Sequence, residues 1–176
     1  MTANPPEKTS GKTPEKALQK ALFRIDYDGC WYHDGGAIKR KALAKLFADK
    51  GLKIDGAGQY WLSSPESKYE VDVEDVPFVI VDYDIKNPGQ DQAIDLMTNM
   101  DDIVSLGPDH DLELRAEPRG GISVPYVEIR KGLYARLSRP VYYKLIDLAI
   151  PGHGMMILRS RGTDQILGQV EQDNAE

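Results

Sequence analysis

Three arginines, Arg130, Arg136 and Arg139, crowd into one stretch at 125–148, PYVEIRKGLYARLSRPVYYKLIDL, interleaved with Tyr126, Tyr134 and Tyr142. A guanidinium is planar and always charged, and its fork of donors matches two oxygens of a phosphate or carboxylate. A tyrosine face beside it can stack on a base or other ring. These residue types point to holding a small anion, and no residue set beside them specifies a reaction. The plainer alternative pairs the arginines with carboxylates elsewhere in the chain and puts the tyrosines in the core.

A looser copy of the same plan lies at 25–47, IDYDGCWYHDGGAIKRKALAKLF. Trp31 and His33 occupy alternate positions of a strand and so share a face. Arg40 stands at the start of the next helix, where Arg139 stands in the second unit. Two like units predict a duplicated scaffold with a seam between its halves. The ligand-binding set expected at that seam is Trp31, His33, Arg40, Tyr126, Arg130, Arg136 and Arg139. Arg130, Arg136 and Arg139 would hold the charge and Trp31 and Tyr126 would pack a ring. His33 and Arg40 would approach from the first half.

Other chemistries find less support. Gly11-Lys12-Thr13 lacks both the glycine five residues earlier, where Pro6 stands, and a preceding strand, so it is no phosphate loop. Asp55-Gly56-Ala57-Gly58 has Lys53 and Gly51 where a calcium loop needs oxygen ligands. His33, His110 and His153 are scattered without zinc-ligand spacing, and no metal or cofactor is expected. The carboxylates of Asp72-Val73-Glu74-Asp75 and Asp82-Tyr83-Asp84 alternate onto one strand face, as a solvated polar face would also require. Cys30 and Ser138 have no adjacent base, Cys30 reading as a small core residue. No catalytic residue is assigned, and an enzyme is the less favoured reading.

Composition sets the frame for these sites. The chain has 176 residues, 41% hydrophobic and 28% charged, enough for one domain or two small ones. Its longest uncharged apolar run, 78–81, is far below the roughly 20 residues of a membrane span, and the first residues lack the apolar core of a signal peptide. One cysteine excludes an intramolecular disulfide, so a reducing cytoplasm is expected. Net charge is −6, unevenly spread: 62–117 carries 15 acidic and 3 basic side chains, whereas 118–161 carries 8 basic and 2 acidic. The acidic belt reads as a solvated surface, or as a field that steers an anion toward the basic flanks. Either way it argues against duplex nucleic acid as a partner, and nothing suggests a membrane.

The elements that would position these residues follow from pattern. Residues 1–13 and 171–176 read as disordered, 14–77 as an N-terminal α+β domain and 78–170 as a second domain. A helix begins near Pro14, capped by Thr13. A hairpin, 24–27 with 30–33, turns at Asp28-Gly29. A helix over 39–50 puts Leu43, Leu46 and Phe47 inward before Gly51 stops it. Strands follow at 60–62, 69–73, 78–83, 92–98, 103–106, 112–115 and 122–129. Keeping one apolar side on the next hairpin requires a three-residue loop, Arg130-Lys131-Gly132, that pairs Ile129 with Leu133. A helix capped by Ser138 turns Tyr142, Leu145, Ile146 and Ala149 inward, and strands at 155–159 and 165–170 close the chain.

Several motifs resemble a bacterial family catalogued as domain of unknown function 1285 (DUF1285). They are D-G-x-W-x-x-x-G-x-x-I-x-R at 28–40, L-x-x-L-F at 43–47, G-x-Y-x-L-x-S-P-x-E at 58–66, V-E-D-V-P-F at 73–78, Thr98-Asn99, and P-Y-V-E-I-R-K-G-L-Y-A-R-L-S-R-P-V-Y-Y at 125–143. The resemblance implies a two-domain α+β fold with a repeated motif, mostly antiparallel sheets and a second domain similar to the pleckstrin-homology barrel. It implies no established activity, but a ligand site between the domains for a nucleotide-like molecule and a role in signalling. Where the family tends to end in a Gly- and aromatic-rich strand, this chain has Met155-Met156-Ile157-Leu158-Arg159. The expectation is a cytoplasmic ligand-binding or regulatory protein with a small anionic ligand at the seam. The alternatives are a protein-interaction module with an apolar patch near 155–158, or a phosphoester-processing enzyme.

Overall fold

A computed structural model describes residues 22–170. The expected helix from Pro14, the disordered stretch at 1–13 and the tail at 171–176 lie outside the described residues. The N-terminal half contains β1 (Phe23–Ile25), β2 (Trp31–His33), β3 (Gly36–Ala37), α1 (Lys41–Lys50), β4 (Leu52–Ile54), β5 (Tyr60–Ser63) and β6 (Lys68–Val73). Its strands form one sheet in the order β3-β2-β1-β6-β5-β4, antiparallel except where β1 lies parallel to β6. Alternation buries Phe23 and Ile25 and leaves Arg24 between them partly exposed.

α1 departs from its expected orientation. Ala44 and Ala48 are its buried residues, whereas Leu43 and Leu46 are exposed. The small side chains let the helix lie close to the sheet. Phe47, on the same face, reaches the rings of Phe23 and Trp31 at centroid distances of 5.6 and 6.1 Å. Gly51 ends the helix, its N–H bonding the Phe47 carbonyl.

The second half contains β7 (Phe78–Lys86), β8 (Ala93–Thr98), β9 (Ile103–Ser105), β10 (Leu112–Ala116), β11 (Ser123–Arg130), β12 (Leu133–Leu137), α2 (Arg139–Ile146), β13 (Ile150–Gly152), β14 (Met155–Ser160) and β15 (Thr163–Gln169). A six-stranded sheet runs β10-β11-β12-β7-β8-β9, with β12 parallel to β7 and the other pairs antiparallel. A small sheet, β13-β14-β15, packs on it through β15 against β10 and β11. Buried polar side chains join the two sheets. Ser160 Oγ accepts the Ile94 N–H at 2.9 Å and donates to the Leu106 carbonyl at 2.8 Å, and Gln165 Oε1 accepts the Leu112 N–H at 2.8 Å. The chain is therefore two domains of mostly β structure, with mixed sheets and two short helices among the described residues. The expected α+β class holds only in that coarser form, because the length between the helices is taken by short strands.

The β11–β12 hairpin keeps its apolar side by a different device. Val127 faces Ala135 and Glu128 faces Tyr134, as expected, but at the tip Arg130 pairs with Leu133 and Ile129 forms a bulge. The bulge absorbs the parity error of a two-residue turn. Gly132 takes φ +74°, and a Cβ there would lie 2.6 Å from Ile54 Cγ2, so the tip packs directly on the N-terminal sheet. α2 is preceded by Ser138 with Pro140 in its first turn, and buries Val141 and Leu145; Tyr142, Ile146 and Ala149 pack on the core at its flank. One cluster of buried side chains runs through both domains. No helix among the described residues is long and apolar enough to cross a membrane.

Candidate functional site

The loop between β1 and β2 carries Tyr27 and Asp28 to the domain boundary. Asp26 shapes it: Oδ1 accepts the N–H groups of Asp28 (3.0 Å) and Cys30 (2.9 Å), and Oδ2 accepts the Tyr32 hydroxyl (2.9 Å). Gly29 has φ +76°, and a Cβ there would stand 2.5 Å from Asn99 Nδ2. Asn99 donates to the Gly29 carbonyl and accepts the Val79 N–H, both at 3.1 Å, tying the loop to the start of β7. Cys30, expected in the core, is exposed, because the loop turns it away from Trp31.

The segment joining the domains supplies two carboxylates. Asp75 accepts the Tyr126 hydroxyl at 3.0 Å and Arg136 Nε at 3.0 Å, and Arg136 Nη2 donates to the Tyr27 carbonyl at 2.7 Å. Glu74 pairs with Arg119 at 2.7 Å and accepts the Tyr27 N–H at 3.1 Å. The guanidiniums of Arg136 and Arg119 lie 3.6 and 4.2 Å from the centre of the Tyr27 ring, so two cations claim that ring. The Tyr27 hydroxyl donates to Glu117, whose other oxygen lies 3.7 Å from Arg139 Nη2. Burial, and secondarily the bond to Glu117, push the Tyr27 phenol up. Burial also pushes up Tyr126, with the Asp75 charge adding to it, and it holds Asp75 above the ordinary carboxylate range despite Tyr126 and Arg136.

Beside this network lies a cleft of about 390 Å³ lined by Tyr27, Asp28, Glu117, Arg119, Arg136 and the start of α2, Ser138 to Pro140, with Val79 at its wall. Its two arginines from the expected set differ sharply. The Arg136 side chain is 5% exposed and doubly engaged, whereas Arg139 is 70% exposed and among the described residues pairs only with Glu117. The acidic belt, read from sequence as a solvated surface or a steering field, instead sends Glu74, Asp75 and Glu117 into the seam, where Asp75 supplies the charge that the buried Arg136 needs.

Of the seven expected residues, the structure brings only Arg136 and Arg139 to this cleft. Tyr126 is buried just behind it, its hydroxyl on Asp75. Trp31 is buried in the N-terminal core against Phe47. His33 is exposed, with its ring 4.7 Å from Phe23, and Arg40 is the exposed residue preceding α1. Arg130 sits at the hairpin tip, four residues from Tyr126 along β11, roughly 13 Å at the usual rise. There it pairs with Asp102 (3.1 Å) and Asp49 (3.3 Å) and borders a second, shallow hollow of about 340 Å³ with Asp109, His110 and Lys131. Sequence reasoning missed Tyr27, Asp75, Glu117 and Arg119. Asp75 and Asn99 stood within motifs already noticed, but pairing across 61 and 70 residues has no local signal. Among the described residues no group of three or more His, Cys, Asp or Glu side chains is placed to hold a metal ion.

Comparison with known proteins follows the same division. Two family models match: "Domain of unknown function (DUF1285), N-terminal domain" over residues 12–76 and "Protein of unknown function (DUF1285), C-terminal domain" over residues 77–166. A crystal structure of a DUF1285 family protein from Silicibacter pomeroyi DSS-3 is similar at 31% identity and TM-score 0.78, covering 93% of this chain and 91% of that one. One from Shewanella baltica OS155 is similar at 26% identity and TM-score 0.56, covering 72% of this chain and 91% of that one. No curated protein matches. On these two adjoining matches, the chain belongs to the DUF1285 family.

Proposed function

We propose that this is a ligand-binding or regulatory protein, acting in signalling, that takes a small anionic molecule in the cleft between its domains. Nucleotide-based molecules are among the candidates. The observation that carries the reading is the cleft itself, rimmed by an exposed Arg139 and backed by Arg119 and Arg136. Its volume falls at the small end of the roughly 300–1,000 Å³ typical of ligand pockets. Arg139 has donors to spare, and Arg136 and Arg119 are held in place by Asp75 and Glu74, which also neutralise them, as fixed donors along the wall. Trp31, Tyr126, Arg130, His33 and Arg40 would serve through the scaffold. A reducing cytoplasmic setting suits a chain whose single cysteine is exposed. For the fold, the contact of the small sheet with β10 and β11 through β15 is the observation in favour of a pleckstrin-homology-like second domain as the finer reading.

A thermal-shift screen of anionic metabolites tests the function. At least one should raise the melting temperature of the wild type and fail to do so for Arg139→Ala. A blank screen, or equal shifts in both proteins, contradicts the site. The protein-interaction alternative has one observation in its favour: Ile150, Ile157 and Ile166 form a cross-strand row over β13–β15, and Ile150 and Ile166 are exposed. Capture of a protein partner that is lost on Ile150→Asp would support it. Turnover of phosphoesters with added divalent ions would favour the enzymatic alternative.

A further inference from the structure

The chemistry of the cleft narrows the ligand class, on the reading above that it is an anion site. A purine or pyrimidine is usually held by stacking on an aromatic face, and among the described residues the cleft offers no free one. Tyr27 is claimed by Arg119 and Arg136, Tyr126 is 1% exposed behind Asp75, and Trp31 is 2% exposed in the other domain's core. What remains is a set of hydrogen-bond donors. Among the described residues Arg139 pairs with Glu117 alone, at 3.7 Å, longer than a hydrogen bond, so no hydrogen bond there occupies its fork. Arg136 uses Nε and Nη2, and among the described residues no hydrogen bond from its Nη1 is formed. The Ser138 hydroxyl makes no capping bond to α2, and the positive end of that helix opens beside it. Two carboxylates also line the cleft: Asp28 is exposed at its rim, and Glu117 is occupied by the Tyr27 hydroxyl. Arg119 and Arg136 are already paired with Glu74 and Asp75, so Arg139 is the guanidinium with donors to offer, which suits one compact anionic head and not a string of them.

We propose that the cleft recognises the phosphate monoester end of a small molecule, held by Arg139, Ser138 and Arg136, and that the rest of the ligand contributes no stacking. A phosphate offers three acceptor oxygens to this fork-and-hydroxyl set, where a carboxylate offers two. Isothermal titration of the full chain with adenosine monophosphate, ribose 5-phosphate, adenosine and succinate tests it. The two phosphates should bind within about threefold of each other, adenosine should give no heat, and succinate should bind more weakly than either phosphate. Arg139→Ala should weaken both phosphates about tenfold, and Ser138→Ala by a smaller factor, with melting temperatures unchanged. Adenosine binding as well as its monophosphate, succinate binding tightest, or Arg139→Ala without effect would overturn the phosphate assignment. Silence from all four while the metabolite screen finds another anion overturns this assignment alone. Silence in both experiments overturns the anion site itself.

Discussion

Arg136 and Arg139 stand three residues apart and face one cleft, but their surroundings give them different work. Arg136 neutralises a carboxylate that burial already holds above its ordinary range, and it also satisfies the carbonyl of Tyr27. Removing it strands Asp75, the Tyr27 carbonyl and part of the Tyr126 environment at once. Loss of one partner from such a buried pair costs about 3–5 kcal/mol. Arg136→Ala should therefore unfold at markedly lower urea, whereas Arg139→Ala, at an exposed site, should stay within about 0.5 kcal/mol of the wild type. Urea unfolding of the two variants side by side checks this, and equal losses would contradict the division of roles. Binding experiments that rely on Arg136→Ala would confuse a folding defect with a lost contact, which makes Arg139 the residue to change.

At the scale of elements, the β1–β2 loop shows how a turn can be legible while its purpose is not. Asp28-Gly29 signals a turn from sequence alone, but the turn is wide and is held by Asp26 within the loop and Asn99 outside it. Gly29→Ala meets two penalties: a positive φ costing about 1–2 kcal/mol and a close approach to Asn99. Gly58→Ala, with φ +82° and nothing within 4 Å, meets only the first. Thermal or urea unfolding should find Gly29→Ala clearly the more damaging, and equal losses would remove Asn99 from the explanation. α1 was legible as a helix and misjudged in orientation, because apolarity favours Leu43 and Leu46 whereas close packing selects Ala44 and Ala48. Across β7, β8 and β9, Asp95 binds Lys86 and Ser105, and those bonds, Lys86 first, hold its carboxyl below the usual range. A depressed folded-state value adds stability above the unfolded carboxylate's pKa, about 3.9, and that contribution fades as pH falls through the folded value. Asp95→Asn should thus be less stable than the wild type at neutral pH, with the gap closing as the pH falls below the unfolded value and through the lowered folded one. A gap independent of pH would contradict the assignment.

For the whole molecule, the two domains are fastened on both sides of their linker. On one side lie Tyr27, Arg136, Glu74 and Arg119; on the other, Arg130 reaches Asp49 while Lys41 and Lys45 meet Asp101. That the chain forms two domains was readable from the sequence. Which arginines line the cleft between them was only partly so: the sequence singles out Arg136 and Arg139 together with Arg130, which stands at the hairpin tip, and misses Arg119. The partners of the acidic belt were equally hidden, since opposite charges find each other in space and leave no trace in spacing. Amide chemical-shift mapping of the full chain titrated with inorganic phosphate tests the seam as a binding site most directly. Shifts should concentrate at Tyr27, Asp28, Ser138, Arg139 and Val141. Shifts centred on Trp31 or Arg130, or none at the seam at saturating phosphate, would contradict the assignment.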